Sequence, residues 1–462
     1  MIVMKFGGSS VADAERIRHV AEIVKNQLER KPVLVLSAMG DTTDHLLEAA
    51  DEALTDGVVS VDRIKELHLK TIRDLKLNAE VQKGILPLLD ELSQLLAGIS
   101  LIRELTKRTK DYLVSFGERL SVRIAAAYFN MLGIKAQAFD AWDVGFVSDS
   151  NYGFAELTKE SWDRIPQKLI PLTETGLLPV VTGFIAREAN GNITTLGRGG
   201  SDLSATMIAA ACKAEEAQVW KDVDGILTAD PRLVKDAKPV GTVTYEEATE
   251  LAYFGAQVLH PRAMQPCIKT GIPVLVKNSY NPQSPGTRII STLEKKHLPV
   301  RAITSRKNVT LVDIVSTRML GQYGFLEEVF AAFARHKLSV DMVATSEVSI
   351  SLTLDAVHDL TDLKKDLSQI AKVDIRAGKA IVTIIGDVRR SSEILARAFR
   401  TCQLIGVPVQ MVSQGASKVN ISFIVNDTEA PETVKALHMD FFDSLKLPTG
   451  RQAAGAISRS KS

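Results

Sequence analysis

Thr195-Leu196-Gly197-Arg198-Gly199-Gly200-Ser201-Asp202 is the stretch that decides how this chain is read. Three glycines surround one arginine, and a serine and an aspartate lead into an apolar-patterned helix expected over 203–212. Glycine tolerates positive φ and lets backbone approach a ligand closely, so such a loop can aim its N–H groups inward. Ser201 is placed to cap the helix, whose N-terminus favours a nearby anion. Arg198 adds a planar fork of donors suited to a carboxylate. The loop suits a small anionic ligand, although a Gly-rich turn closed by a helix cap has the same composition.

Upstream, residues 2–6 read as a short buried strand running into Lys5-Phe-Gly-Gly-Ser-Ser-Val11. Ile17, Val20, Ala21, Val24 and Leu28 then recur at helical spacing, and Pro32 introduces a continuous apolar strand over 33–36. Strand, glycine loop, helix and strand make a βαβ unit, whose loop sits where such sheets bind ligands. The loop is neither a GxGxxG nor a GxxxxGKS motif, because its lysine precedes the glycines on the strand. Lysine beside two glycines points weakly to phosphate. Ser37 to Thr43 form another polar loop, and residues 44–132 read as mostly helical. Within them Phe116-Gly117-Glu118 sets a glycine and a carboxylate in an apolar pattern, where the simpler reading of Glu118 is a solvated helix residue.

Downstream, strand character appears at 135–140, 178–184 and 217–220, with Asn190-Gly191 as a hairpin turn. The last strand opens into Lys221-Asp-Val-Asp-Gly-Ile-Leu-Thr-Ala-Asp-Pro-Arg232, which is either a polar cluster at a strand end or an ordinary Asp/Gly turn. Helices over 245–254 and 262–270 and a strand over 274–277 complete a first domain. Residues 278–288, rich in Pro, Ser and Asn, read as a loop at its edge. Beyond lies an internal repeat: two copies of strand, helix, hairpin, helix and strand, divided near residue 378. The polar stretch 449–462 is expected to be disordered.

The 462 residues are 45% hydrophobic and 24% charged, as in a globular protein of several domains. A net charge of +1 gives no electrostatic footprint for nucleic acid or an anionic membrane. No apolar run is expected to span a membrane. Cys212, Cys267 and Cys402 stand far apart, in no metal-ligand spacing, and read as reduced buried thiols. His260, in Val-Leu-His-Pro, reads as structural rather than as a ligand.

Lys5-Phe-Gly-Gly-Ser-Ser, Phe116-Gly-Glu, the Thr195–Asp202 loop, Trp220-Lys-Asp-Val-Asp-Gly and Phe254-Gly-Ala-Gln-Val-Leu-His-Pro occur in one order. In that order they resemble the aspartate kinase family over nearly the whole chain. Arg318-Met-Leu-Gly-Gln-Tyr-Gly-Phe325 is similar to its plant-type, monofunctional, lysine-inhibited branch. The resemblance implies an α/β amino-acid kinase fold over 1–290, with a mainly parallel sheet between helices. It implies two α+β ACT modules over 300–378 and 379–448. It further implies ATP-dependent phosphorylation of the L-aspartate side-chain carboxylate, the first step toward lysine, threonine and methionine.

By motif, Lys5 and Asp202 would be catalytic, with Lys5, Gly7, Gly8 and Ser9 on the ATP phosphates. Thr43, Glu118, Arg198, Gly199, Gly200 and Ser201 would hold aspartate. Lys221, Asp222, Leu227, Arg232 and Gln257 would line the nucleotide site, although Leu227 stands where a tyrosine is usual and Gln257 where a lysine is usual. Inhibitory L-lysine would meet Met319, Phe325, Leu326, Val340, Asp341, Thr345, Ser346 and Glu347. The second copy has Gln410 and Ala416 in place of Asp341 and Glu347, so only the first would bind a cationic effector.

A carboxylate acceptor is already ionised at neutral pH, which casts Asp202 as an orienter rather than a base. No carboxylate cage for a metal is expected, so Mg²⁺ would ride on the ATP phosphates. The chain would be cytoplasmic, or stromal if it is a processed plant chain. It would form a homodimer or a dimer of dimers through the ACT modules. Two other readings stand beside this one. A kinase for glutamate or N-acetylglutamate is disfavoured by the tandem ACT modules, and a silent amino-acid sensor by intact Lys5, Arg198 and Asp202.

Overall fold

The computed structural model describes residues 1–253, 259–292, 299–316, 323–355, 359–414 and 419–443. Gln257, Met319, Ala416 and the 449–462 tail lie outside the described residues. The chain divides into two units, the first comprising 1–226, 241–248 and 258–293, the second 227–240, 249–257 and 294–462.

In the first unit, β1 (Ile2–Phe6), α1 (Ala14–Lys25) and β2 (Pro32–Leu36) form the expected βαβ unit. Four helices follow: α2 (Thr42–Thr55), α3 (Asp62–Asp74), α4 (Ala79–Ile102) and α5 (Lys107–Met131). Next come β3 (Ala136–Phe139), β4 (Val147–Ser148), α6 (Lys159–Glu174), β5 (Leu178–Thr182), β6 (Ile185–Glu188) and β7 (Ile193–Thr195). Helix α7 (Gly200–Ala211), β8 (Ala217–Lys221), β9 (Thr242–Thr244), α8 (Tyr245–Tyr253), α9 (Pro261–Thr270), β10 (Val274–Asn278) and β11 (Thr287–Ile290) complete the run. Helix α8 begins in this unit and ends in the second.

The main sheet has the order β3-β5-β2-β1-β8-β10-β11-β9. Its strands from β3 to β10 are parallel. β1 and β2 bury every residue, which is why both read as unbroken apolar runs. Strand β1 has β2 on one side and β8 on the other, so the order reverses there, and ligands bind at the strand ends of such a switch point.

Three expectations change. The loop expected over 278–288 ends early, because Thr287 and Arg288 already belong to β11, a strand antiparallel to β10, and short β9 beside it was not legible either. Ser201 does not cap α7: Gly199, with φ +74°, holds the N-cap position and Ser201 lies within the first turn. Helix α4 is long and apolar enough to cross a membrane by length and composition. Its Leu88, Leu89, Leu92, Leu96 and Ile99 are packed in the core of the unit.

The second unit contains β12 (Val300–Val315), α10 (Phe325–Arg335), β13 (Val343–Thr345), β14 (Ser349–Asp355), α11 (Thr361–Leu367) and β15 (Lys372–Gly386). It continues with α12 (Ser391–Leu404), β16 (Met411–Ser413), β17 (Asn420–Asn426) and α13 (Ala430–Phe442). One six-stranded sheet, ordered β13-β14-β12-β15-β17-β16, carries both copies of the repeat. The first copy lends half a strand to the second. Val312 and Ile314 pack with α10 and α11, whereas Val300 and Ile303 of the same strand pack with α12 and α13. A cut at residue 378 therefore does not separate two independent cores. Ala229, Leu233, Val234 and Ala237, from the loop after β8, join the second of these cores.

A candidate active site at the switch point of the sheet

The C-terminal ends of β1 and β8 point two lysines at one acid. Lys5 Nζ lies 2.7 Å from Asp202 Oδ1, and Lys221 Nζ donates to Asp202 Oδ2 at 3.2 Å. Asp202 stands in the first turn of α7 and is 4% exposed; Lys5 is 7% exposed. Burial alone would raise the proton affinity of Asp202. The charges of Lys5 and Lys221 outweigh it and hold the carboxyl below the usual carboxylate range.

Glu118, on α5, occupies the same cleft and differs in its partners. It is fully buried rather than solvated, because its neighbour Gly117 lets α5 lie against the loop after β2. A Cβ at position 117 would sit 2.6 Å from the Ala38 Cβ. Oε1 of Glu118 accepts from the Ala38 N–H at 3.2 Å, and Oε2 has no partner among the described residues. Desolvation dominates and pushes its pKa up to about 8.

The glycine loop closes the cleft. Lys5, Gly8, Thr43, Glu118, Arg198, Gly199, Gly200, Ser201 and Asp202 all line one cavity of about 510 Å³, together with Ser37, Ala38, Gly40, Phe184 and Gly197. Gly7 and Ser9 flank Gly8 in the short turn after β1, and a Cβ on Gly7 would lie 3.5 Å from Lys5 Nζ. Gly199 backs on His260, whose Cβ would be 2.8 Å from a Cβ at 199. His260 itself caps α9, accepting from the Arg262 N–H at 3.2 Å, a structural role.

Several residues that position this cleft were missed in the sequence. Asp111 on α5 accepts from the Thr195 N–H and hydroxyl, both at 2.8 Å, and fixes the start of the loop. Arg262 donates to the Leu196 carbonyl at 2.6 Å. Phe184 is held at φ +67°, a conformation costing a bulky residue about 1–3 kcal/mol. It persists because its N–H donates to Ser204 Oγ and its carbonyl accepts from Leu196.

Other expected residues are placed elsewhere. Asp222 is exposed just beyond β8. Leu227 and Arg232 fall in the second unit, where Arg232 Nη2 and Nε engage Asp230 at 2.7 and 3.0 Å. In the first repeat Phe325 opens α10 behind Gly324, and Leu326 is exposed. Val340 is partly buried, while Thr345, Ser346 and Glu347 are exposed around the β13–β14 turn. Asp341 is not open: its carboxylate, 4% exposed, receives Arg306 Nη2 at 3.1 Å and the Tyr253 hydroxyl at 2.6 Å.

This arrangement can bind a polyanion at its lysine end and a cation-bearing acid at its Glu118 end. The amino acid kinase family matches residues 1–278, and the ACT domain matches 312–358 and 382–441. Aspartokinase 1, chloroplastic, of Arabidopsis thaliana is 50% identical over 459 residues, covering 96% of this chain and 80% of that protein. Among solved structures, E. coli aspartokinase III in complex with aspartate and ADP (R-state) is 33% identical with a TM-score of 0.78. The alignment covers 96% of this chain and 100% of that one. The same enzyme in complex with lysine and aspartate (T-state) gives 32% and 0.78, covering 96% and 99%. The chain belongs to the aspartokinases, feedback-regulated enzymes of amino-acid biosynthesis that phosphorylate aspartate from ATP.

Proposed function

We propose that the cleft holds ATP phosphates at Lys5, Gly7, Gly8, Ser9 and Lys221, with L-aspartate between Glu118 and the Arg198–Ser201 loop. The observation that carries this reading is the contrast in one cavity between Asp202, held by two lysines, and Glu118, with an unpartnered oxygen. Glu118 receives the substrate ammonium, Arg198 the α-carboxylate, and Thr43 and Ser201 offer hydroxyls. The side-chain carboxylate of aspartate is ionised at neutral pH and needs no base. One of its oxygens attacks the γ-phosphorus, the bond to the ADP oxygen breaks, and ADP leaves with that electron pair. Charge repulsion is the barrier, and Lys5 and Lys221, aligned by Asp202, offset it.

Among the described residues no cluster of acids, histidines and cysteines is placed to hold a metal. Mg²⁺ in this reading comes with ATP, bound to its phosphates, and supplies further charge neutralisation. The nucleotide reading extends to Asp222 beside Lys221; Leu227, Arg232 and Gln257 are not needed for it.

L-Lysine is read as the inhibitor, bound in the first repeat by Asp341, Glu347, Thr345 and Ser346, with its carboxylate at the α10 N-terminus and Phe325, Leu326 and Val340 alongside. One of its ammonium groups would compete with Arg306 and Tyr253 for Asp341. Glu347→Lys should raise the lysine concentration for half-inhibition about tenfold or more and leave uninhibited kcat unchanged. A variant as lysine-sensitive as the parent would place the effector elsewhere. Assembly with a second copy is read as running through the ACT modules. The plastid stroma is the compartment suggested by the chloroplastic relative.

The deciding assay traps acyl phosphate formed from ATP, Mg²⁺ and L-aspartate, with and without lysine. Trapped product with aspartate but not glutamate is expected, and its absence would refute the reading.

A further inference from the structure

We propose that the first unit carries a second small-molecule site, an arginine-lined pocket between α4, α5 and the β6–β7 hairpin, which binds a small dianion bearing phosphate or paired carboxylates. The pocket encloses about 490 Å³ and shares no lining residue with the catalytic cleft. Three arginines line it, Arg108 and Arg119 from α5 and Arg187 from β6, against a single acid, Glu91.

That acid is already engaged. One oxygen of Glu91 accepts from the Tyr112 hydroxyl, and the other lies 3.6 Å from Arg119 Nη2. Behind the pocket Asp140 is held by both Nη1 and Nη2 of Arg123, at 2.9 and 3.0 Å, and Arg119 Nε reaches it only at 3.7 Å. Asp143 caps its own turn at the Asp140 N–H and feels the charge of Arg187, and Glu188, beside Arg187 on β6, is taken up by the N–H groups of Asn190 and Asn192. Arg119 Nε and Nη1 and Arg187 Nε are buried with no acceptor among the described residues. Buried donors of this kind normally find partners, so their lack of one marks a place for an acceptor.

The forks are also pre-set. Arg187 lies 4.1 Å over the Trp142 ring, and Arg119 lies 5.0 Å over Phe116. Stacking on a rigid ring reduces the ordering a ligand must impose. Two guanidinium planes with a third at the rim fit an oxyanion of two charges better than a single carboxylate. Arg119 directly follows Glu118 on α5, about 100° around the helix, so one turn serves both cavities.

The test is calorimetric titration of the full chain with inorganic phosphate and, separately, with succinate, at constant ionic strength. A non-hydrolysable ATP analogue and aspartate are kept saturating so that the cleft, its γ-phosphate position included, is filled. The expected result is saturable binding of one anion per chain, the preferred probe distinguishing a phosphate from a dicarboxylate site. Arg187→Met and Arg119→Met should each weaken it about tenfold or more, and Arg108→Met about threefold, with kcat in the absence of added anion unchanged. If Arg119→Met fails to fold, Arg187→Met and the rim variant Arg108→Met decide. No saturable binding of either anion, or equal binding by the parent and Arg187→Met, would overturn the proposal.

Discussion

Asp202 and Glu118 are buried to nearly the same degree in the same cavity, at 4% and 3% exposure, yet they hold protons in opposite ways. Asp202 has two lysine ammonium groups within 3.2 Å and stays below the usual range. Glu118 has one backbone N–H and is pushed up to about 8. Burial is therefore not what separates them; the number of cations in reach is. The lysine end comes fully assembled, while the Glu118 end is left one cation short, and in the proposed reading the amino group of aspartate makes up that shortfall.

The strongest way to break this contrast is to empty the assembled end. Lys5→Ala leaves Asp202 with Lys221 alone and should lower kcat about a hundredfold or more, as losing one strong electrostatic donor does. Because Lys5 is buried rather than on a surface loop, a loss of thermal stability should accompany it. A steady-state assay within about threefold of the parent would refute the role. Removing the charge at the other end tests the receptor. Glu118→Gln should raise KM for aspartate about tenfold to a hundredfold with little change in KM for ATP. Equal shifts in both constants would mean that Glu118 does not meet the amino acid. Arg198→Lys keeps the charge but loses the fork, and should raise KM for aspartate about tenfold, again without a matching effect on ATP.

The smallest effect is in the pH profile. A carboxyl raised to about 8 is mostly protonated at neutral pH, and an ammonium prefers it ionised. KM for aspartate should therefore fall as pH rises from about 7 to about 9, and Glu118→Gln should abolish that contribution. The stability linkage has the matching sign. The unfolded carboxyl ionises near 4.5 and the folded one near 8, so the unliganded protein should lose stability across that interval relative to Glu118→Gln. Thermal melts across this range check it.

Much of the cleft was legible because glycine, lysine and arginine carry strong local signals. The Thr195–Asp202 loop, the lysine on β1 and the repeat each announce themselves within a few residues. Asp111 and Arg262 did not, since each acts on a loop 84 and 66 residues away in sequence. Glu118 read first as solvated because a carboxylate on a helix usually faces water, and only the close approach allowed by Gly117 buries it. Strands β9 and β11 were hidden by their brevity, and β11 also by the Pro, Ser and Asn before it. The sharing of β12 between the two repeats lay beyond any local pattern, because it is one continuous run whose halves serve different cores.

The loop after β8 sets a limit on dissection of this protein. Ala229 and its neighbours 233, 234 and 237 pack among side chains of β12, β15 and α13, and the Thr228 side chain bonds His438 at 2.8 Å. A fragment ending near residue 290 would carry these apolar side chains with nothing to cover them. Because residues 227–240 belong to the core of the second unit while the chain on either side of them belongs to the first, no single protease cut or gene truncation yields a clean kinase, and shuffling the two halves between relatives would need matched changes at 227–240.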